Sequence, residues 1–77
     1  MEAVESKSAL ETQVGGNHYK DLKIQPIEFI HANNLDFLVG NVVKYVVRAK
    51  NKNGAEDIKK AIHYCQLILD LEYGEKK

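Results

Sequence analysis

A chain of 77 residues holds one domain at most. Its 11 basic and 11 acidic residues cancel, so no global field draws nucleic acid or an anionic membrane, and anion recognition has to come from local clustering. The single cysteine, Cys65, excludes an intrachain disulfide and, beside three histidines, argues against a structural zinc site.

The opening residues lack a basic start followed by an apolar stretch, and no run approaches the ~18 to 20 apolar residues of a membrane span. The expectation is a soluble, cytoplasmic protein. With a loose N-terminus, fewer than about 60 residues remain to build a core, a size at which a lone hydrophobic core is marginal. Without disulfide or structural metal, self-association is the expected remedy.

Met1 to Gln13 mixes Glu, Lys, Ser and Ala and reads as a flexible tail, leaving 14–77 as the single domain. Gly15-Gly16-Asn17-His18-Tyr19-Lys20 has no apolar period and reads as a loop. It is either a strap whose His18 and Lys20 close over a phosphate while Tyr19 stacks, or a tether between tail and domain. The glycine pair is not a Walker-type phosphate loop, since GxxxxGK[ST] is absent.

Asp21 to Gln25 alternates polar and apolar residues and reads as extended. Pro26 then suits the first position of a short helix, 26–32, where its missing N–H costs nothing. Asn33 suits a left-handed C-terminal position, and Asn34 or Asp36 can cap the next helix. That second helix is predicted over 35–50: Leu38, Val39, Val42, Val43, Val46 and Val47 cover over half its circumference. Its polar residues fall at helical spacing, which outweighs the strand preference of its valines. Gly40 inside this helix costs up to ~1 kcal/mol against Ala, and close helix packing or a ligand near the backbone would offset that.

Asn51 to Gly54 is a turn, and a third helix is predicted over 55–73, stopping near Gly74, with Glu56 and Asp57 at the positive end of its dipole. Ile58, Ala61, Ile62, Cys65, Ile68 and Leu69 form its main stripe, with Cys65 read as a buried packing residue. Leu67, Leu71 and Tyr64 form a second apolar flank. One face can pack on the second helix and the other has no cover within the chain, which argues for a homo-oligomer. The fold class is therefore all-α: a small helical hairpin with a short preceding helix and an extended N-terminal segment.

Asn41, Lys44 and Arg48 recur at steps of three and four, forming one polar line on the second helix. Arg offers a planar fork for phosphate, Lys a point charge, and Asn a base-edge partner. The alternatives are a solvated helix edge, or ion pairs to Glu56 or Asp57 across the turn. If Arg48 meets a ligand, Arg48→Ala weakens binding with little loss of thermal stability. Glu56 and Asp57 either hold Mg²⁺ or only favour the helix dipole. His63 has no nucleophile spaced to need it as a base, and His31 reads as structural.

The succession GGNHYK, IQPIEFI, NNLDFLVGNVVKYVVRAKNKNG and EDIKKAIHYCQLIL resembles the SaV-like family of small phage proteins over about Gly15 to Leu71. It is also similar to the corresponding part of the T7-type phage nucleotide kinase. The resemblance implies a phage-encoded protein of the infected bacterial cytoplasm that binds a nucleotide. Kinase activity toward deoxynucleoside monophosphates is implied only at the level of the larger relative, whose additional sequence this chain lacks.

The positions the resemblance marks for substrate or phosphate binding are His18, Tyr19, Lys20, Asn41, Lys44, Tyr45, Arg48, Lys52 and Glu56. No catalytic residue is assigned and no metal ligand is expected, Mg²⁺ entering only with a bound nucleotide. The competing function is non-catalytic: a nucleotide sponge, or a small helical inhibitor of a host protein. A helical pyrophosphohydrolase ranks last, since Glu56 and Asp57 are too few acids for it.

Overall fold

The computed structural model describes residues 22–51 and 53–75. Residues 1–21, on which the expected tail and the strap-or-tether segment with His18, Tyr19 and Lys20 fall, and Lys52 lie outside the described residues. Within them the chain is three helices, α1 (Pro26–Ala32), α2 (Phe37–Arg48) and α3 (Ala55–Tyr73), with a 3₁₀ turn at Ala49–Asn51 and no strand. The all-α hairpin with a short leading helix is thus the fold. Of Asp21 to Gln25, expected to be extended, Leu22 to Ile24 forms a bend and Gln25 is extended where it caps the first helix.

Pro26 opens α1 as its fixed φ and missing N–H allow. The Gln25 N–H donates to Glu28 Oε1 at 2.7 Å, the returning arm of a capping box. The chain leaves α1 through Asn34, not Asn33: Asn34 takes the left-handed conformation at φ 53°, while Asn33 Nδ2 donates back to Phe29 O at 3.0 Å. Asp36 is the residue that caps α2, its Oδ1 accepting from Val39 N–H at 2.9 Å. That places the start of α2 at Phe37, two residues later than the apolar period suggested.

α2 ends at Arg48 rather than at Lys50, because Ala49–Asn51 tightens into the 3₁₀ turn. Gly54 closes that turn at φ 50°, its N–H donating to Ala49 O at 2.9 Å, a conformation that favours glycine. α3 then runs from Ala55 to Tyr73 and stops at Gly74, left-handed at φ 70°.

Two close approaches hold the helices together. Gly40 is buried where α1 meets α2, and a Cβ there would stand 3.2 Å from Ile30 Cγ2. Helix packing is therefore what offsets the helix-weakening glycine. On α3, Asp57, Ala61, Tyr64 and Ile68 turn toward α2 at steps of four, three and four, with Asp57 fully buried and Ala61 buried. Of the stripe expected to pack inward, Ala61 is buried and Ile68 half-buried, whereas Ile58, Ile62 and Leu69 are exposed, and so is Cys65, contrary to its expected burial. A hairpin of two helices can bury only one stripe of α3, and the residues nearest the turn, Arg48 and Asp57, decide which one.

Candidate binding cleft

The turn side of the hairpin is pinned by a buried ion pair. Asp57 is 0% exposed, and Arg48 reaches it with two parallel bonds, Nε to Oδ2 at 3.2 Å and Nη2 to Oδ1 at 3.3 Å. The Asn53 backbone N–H donates to Oδ2 at 3.4 Å. Burial alone would push the Asp57 carboxyl up. The Arg48 hydrogen bond, the Asn53 N–H and the positive charges of Arg48 and Lys60 outweigh that and hold it below the usual aspartate value. Asp57 is thus a structural anion, and it does not pair with the exposed Glu56 to make a metal site. Among the described residues no three His, Cys, Asp or Glu side chains converge as metal ligands.

Beside this pair lies a wall of aromatic rings. Tyr45 of α2 stacks on Tyr64 of α3, centroids 5.9 Å apart at 18°. Phe37 meets the same Tyr64 ring edge-on at 6.1 Å, and His63 does so at 6.1 Å. Three cations surround the Tyr45 ring: Lys44 Nζ at 4.7 Å, Arg48 Cζ at 5.2 Å and Lys60 Nζ at 5.4 Å from its centroid. The wall forms one side of an open cleft of about 430 Å³ lined by Tyr45, Glu56, Lys59, Lys60, His63 and Tyr64, a size in the range of small-molecule sites.

Of the positions marked from the sequence, the structure therefore brings together Lys44, Tyr45, Arg48 and Glu56. Asn41 is half-buried on the same side of α2, but its Nδ2 donates to Phe37 O at 2.8 Å in its own helix. Arg48 directs two of its N–H groups at Asp57, so the ion pair weighed as an alternative is formed. Lys44, Lys59 and Lys60 form no ion pair among the described residues; Lys59 and Lys60 line the cleft with Glu56, and Lys44 stands beside it over the Tyr45 ring.

Sequence reasoning did not assign Lys59, Lys60, His63 or Tyr64 to the site. The helical spacing of Glu56, Lys60 and His63 was the available signal, since it set them on one face of α3. What was missing was the rotation of α3 that presents this face to Tyr45.

Residues 14–66, well over half of the chain, match the profile of a protein family described as of unknown function, DUF3310. No curated protein and no solved structure shows significant similarity.

Proposed function

The chain belongs to the DUF3310 family, and from its own cleft we propose that it binds a nucleotide, the base against the Tyr45–Tyr64 wall and the phosphates on the surrounding lysines. The observation that carries this reading is the ring of cations around Tyr45 at the mouth of the cleft. A planar, polyanionic ligand satisfies both halves of that surface. Base stacking on an aromatic is worth about 1–3 kcal/mol, and ammonium groups neutralise phosphate as point charges. Lys44, Lys59 and Lys60 are the phosphate partners, His63 supplies a hydrogen bond at the rim, and Arg48 shapes the cleft through Asp57 while its charge adds to the field.

Phosphoryl transfer rests on the resemblance to the phage nucleotide kinase. It needs a positioned acceptor and charge neutralisation of the transferred group, with Mg²⁺ arriving on the nucleotide. The cleft supports binding more directly than turnover, because Asp57 is occupied and Glu56 is the carboxylate left on the cleft wall. A phage-encoded protein that sequesters a nucleotide in the infected cell is the corresponding role.

Calorimetric titration with nucleoside mono-, di- and triphosphates, with and without Mg²⁺, tests the proposal, with chromatography of the mixtures to detect products. Binding of one nucleotide class is expected, weakened about 10-fold by Lys59→Gln, which removes one charge contact, with the melting temperature unchanged, since Lys59 lines the cleft and is exposed. Binding without product selects sequestration, and product formation selects the kinase-like role. If no nucleotide binds, the reading fails. The second reading, a helical module that docks on a host protein, is favoured by the exposed apolar side chains, and it predicts no nucleotide binding.

A further inference from the structure

Opposite the cleft, the hairpin carries an apolar face that the chain's described residues leave uncovered. The contacts of Tyr45 and Arg48 with Tyr64 and Asp57 define the cleft side of both helices. At 100° per residue, Val46 of α2 and Ile58, Ile62, Cys65 and Leu69 of α3 fall on the other side. Val46 is 49% exposed, Ile58 40%, Ile62 52% and Leu69 39%, and Cys65 is exposed beside them. On α3 the stripe repeats at steps of four, three and four, and no charged residue interrupts it between Ile58 and Leu69.

We propose that a second copy of this chain docks on that face, α3 against α3 across a two-fold axis near Ile62 and Cys65, to make an antiparallel four-helix dimer. Three observations select this occupant. The face is uncharged on both helices, so its complement is another uncharged face, and a two-fold axis presents it with itself. The N-terminal residues Met1 to Gln13 are mostly polar or charged and have few large apolar groups with which to cover it. The exposed area also suffices: with Tyr73 at its end, the face offers roughly 500 Å² per copy, and two copies reach the ~1,000 Å² of a specific interface. The interface leaves the cleft open on the outer side of each protomer, so assembly and ligand binding stand or fall separately.

Sedimentation of the full chain from low to high micromolar concentration tests this. A dimer is expected for the native chain, and Ile62→Glu and Ile62→Lys are each expected to be monomeric, since each sets like charges against one another at the axis. Mixing the two variants is expected to restore a dimer of one chain of each, together with any helical circular dichroism lost in either alone. Maleimide labelling of Cys65 is expected to slow at least 10-fold as the native chain dimerises. A native chain monomeric throughout, a dimer unaffected by Ile62→Glu, or a mixture that fails to reassociate would overturn the proposal.

Discussion

The residue that changes most in meaning between sequence and structure is Arg48. Its spacing from Asn41 and Lys44 made it a candidate phosphate ligand whose loss would spare stability. Its bidentate bond to the buried Asp57 reverses that expectation. Removing one member of a buried pair strands the other without compensation. Arg48→Ala and Asp57→Asn are therefore each expected to lower the melting temperature by on the order of 10 °C, measured by circular dichroism. The double replacement Arg48→Met with Asp57→Leu is expected to lose less than either single change.

The pH dependence follows from the lowered Asp57 value. A depressed carboxyl contributes stability that is fully present above the usual aspartate range and is lost as pH falls through its folded value. The native chain and Asp57→Asn should thus differ most near neutrality and converge in acid. A gap that widened in acid would refute the assignment. The pairing across the turn was legible as one option among three, since Arg48 and Asp57 flank it. That Asp57 is the partner, and is sealed from water, depends on how α3 lies against α2.

At the scale of the elements, α1 and α3 have the bounds that periodicity, proline and glycine signals implied, while α2 starts and stops two residues inside its predicted range. Both shifts come from local chemistry that an apolar count does not see: the Asp36 cap at one end and the 3₁₀ turn at the other. Asp36→Ala is expected to cost ~1 kcal/mol in urea unfolding.

Gly40 offers a graded test of the α1–α2 contact. An alanine Cβ at 3.2 Å from Ile30 Cγ2 requires that side chain to give by a few tenths of an ångström, against a helix-propensity gain of up to ~1 kcal/mol. Gly40→Ala is expected to be near neutral. Gly40→Leu overpacks the seam and should cost about 1–3 kcal/mol, with Ile30→Ala in the same chain recovering part of the loss. No recovery would mean that Ile30 is not what limits the space.

For the molecule as a whole, the central fact is how little apolar surface the described residues bury. Among the described residues Ala49 and Ala61 are the buried hydrophobic side chains, while ten large hydrophobic residues stay exposed. Folding linked to self-association makes stability depend on concentration. The melting temperature of the native chain is therefore expected to rise by several degrees over a 100-fold increase in protein concentration, whereas that of Ile62→Glu should not move.

The sequence by itself determined the helices, because capping groups, glycine stops and the 3.6-residue period are local properties that act within a few residues of each position. It also determined that α3 has more apolar surface than one partner helix can cover. Which stripe of α3 goes inward was decided only by the tertiary structure. Two apolar stripes and a polar face are degenerate until Arg48 engages Asp57 and Tyr45 stacks on Tyr64. That single rotation buries Ala61, draws Lys60, His63 and Tyr64 into the cleft with Tyr45, and turns Ile58, Ile62, Cys65 and Leu69 outward.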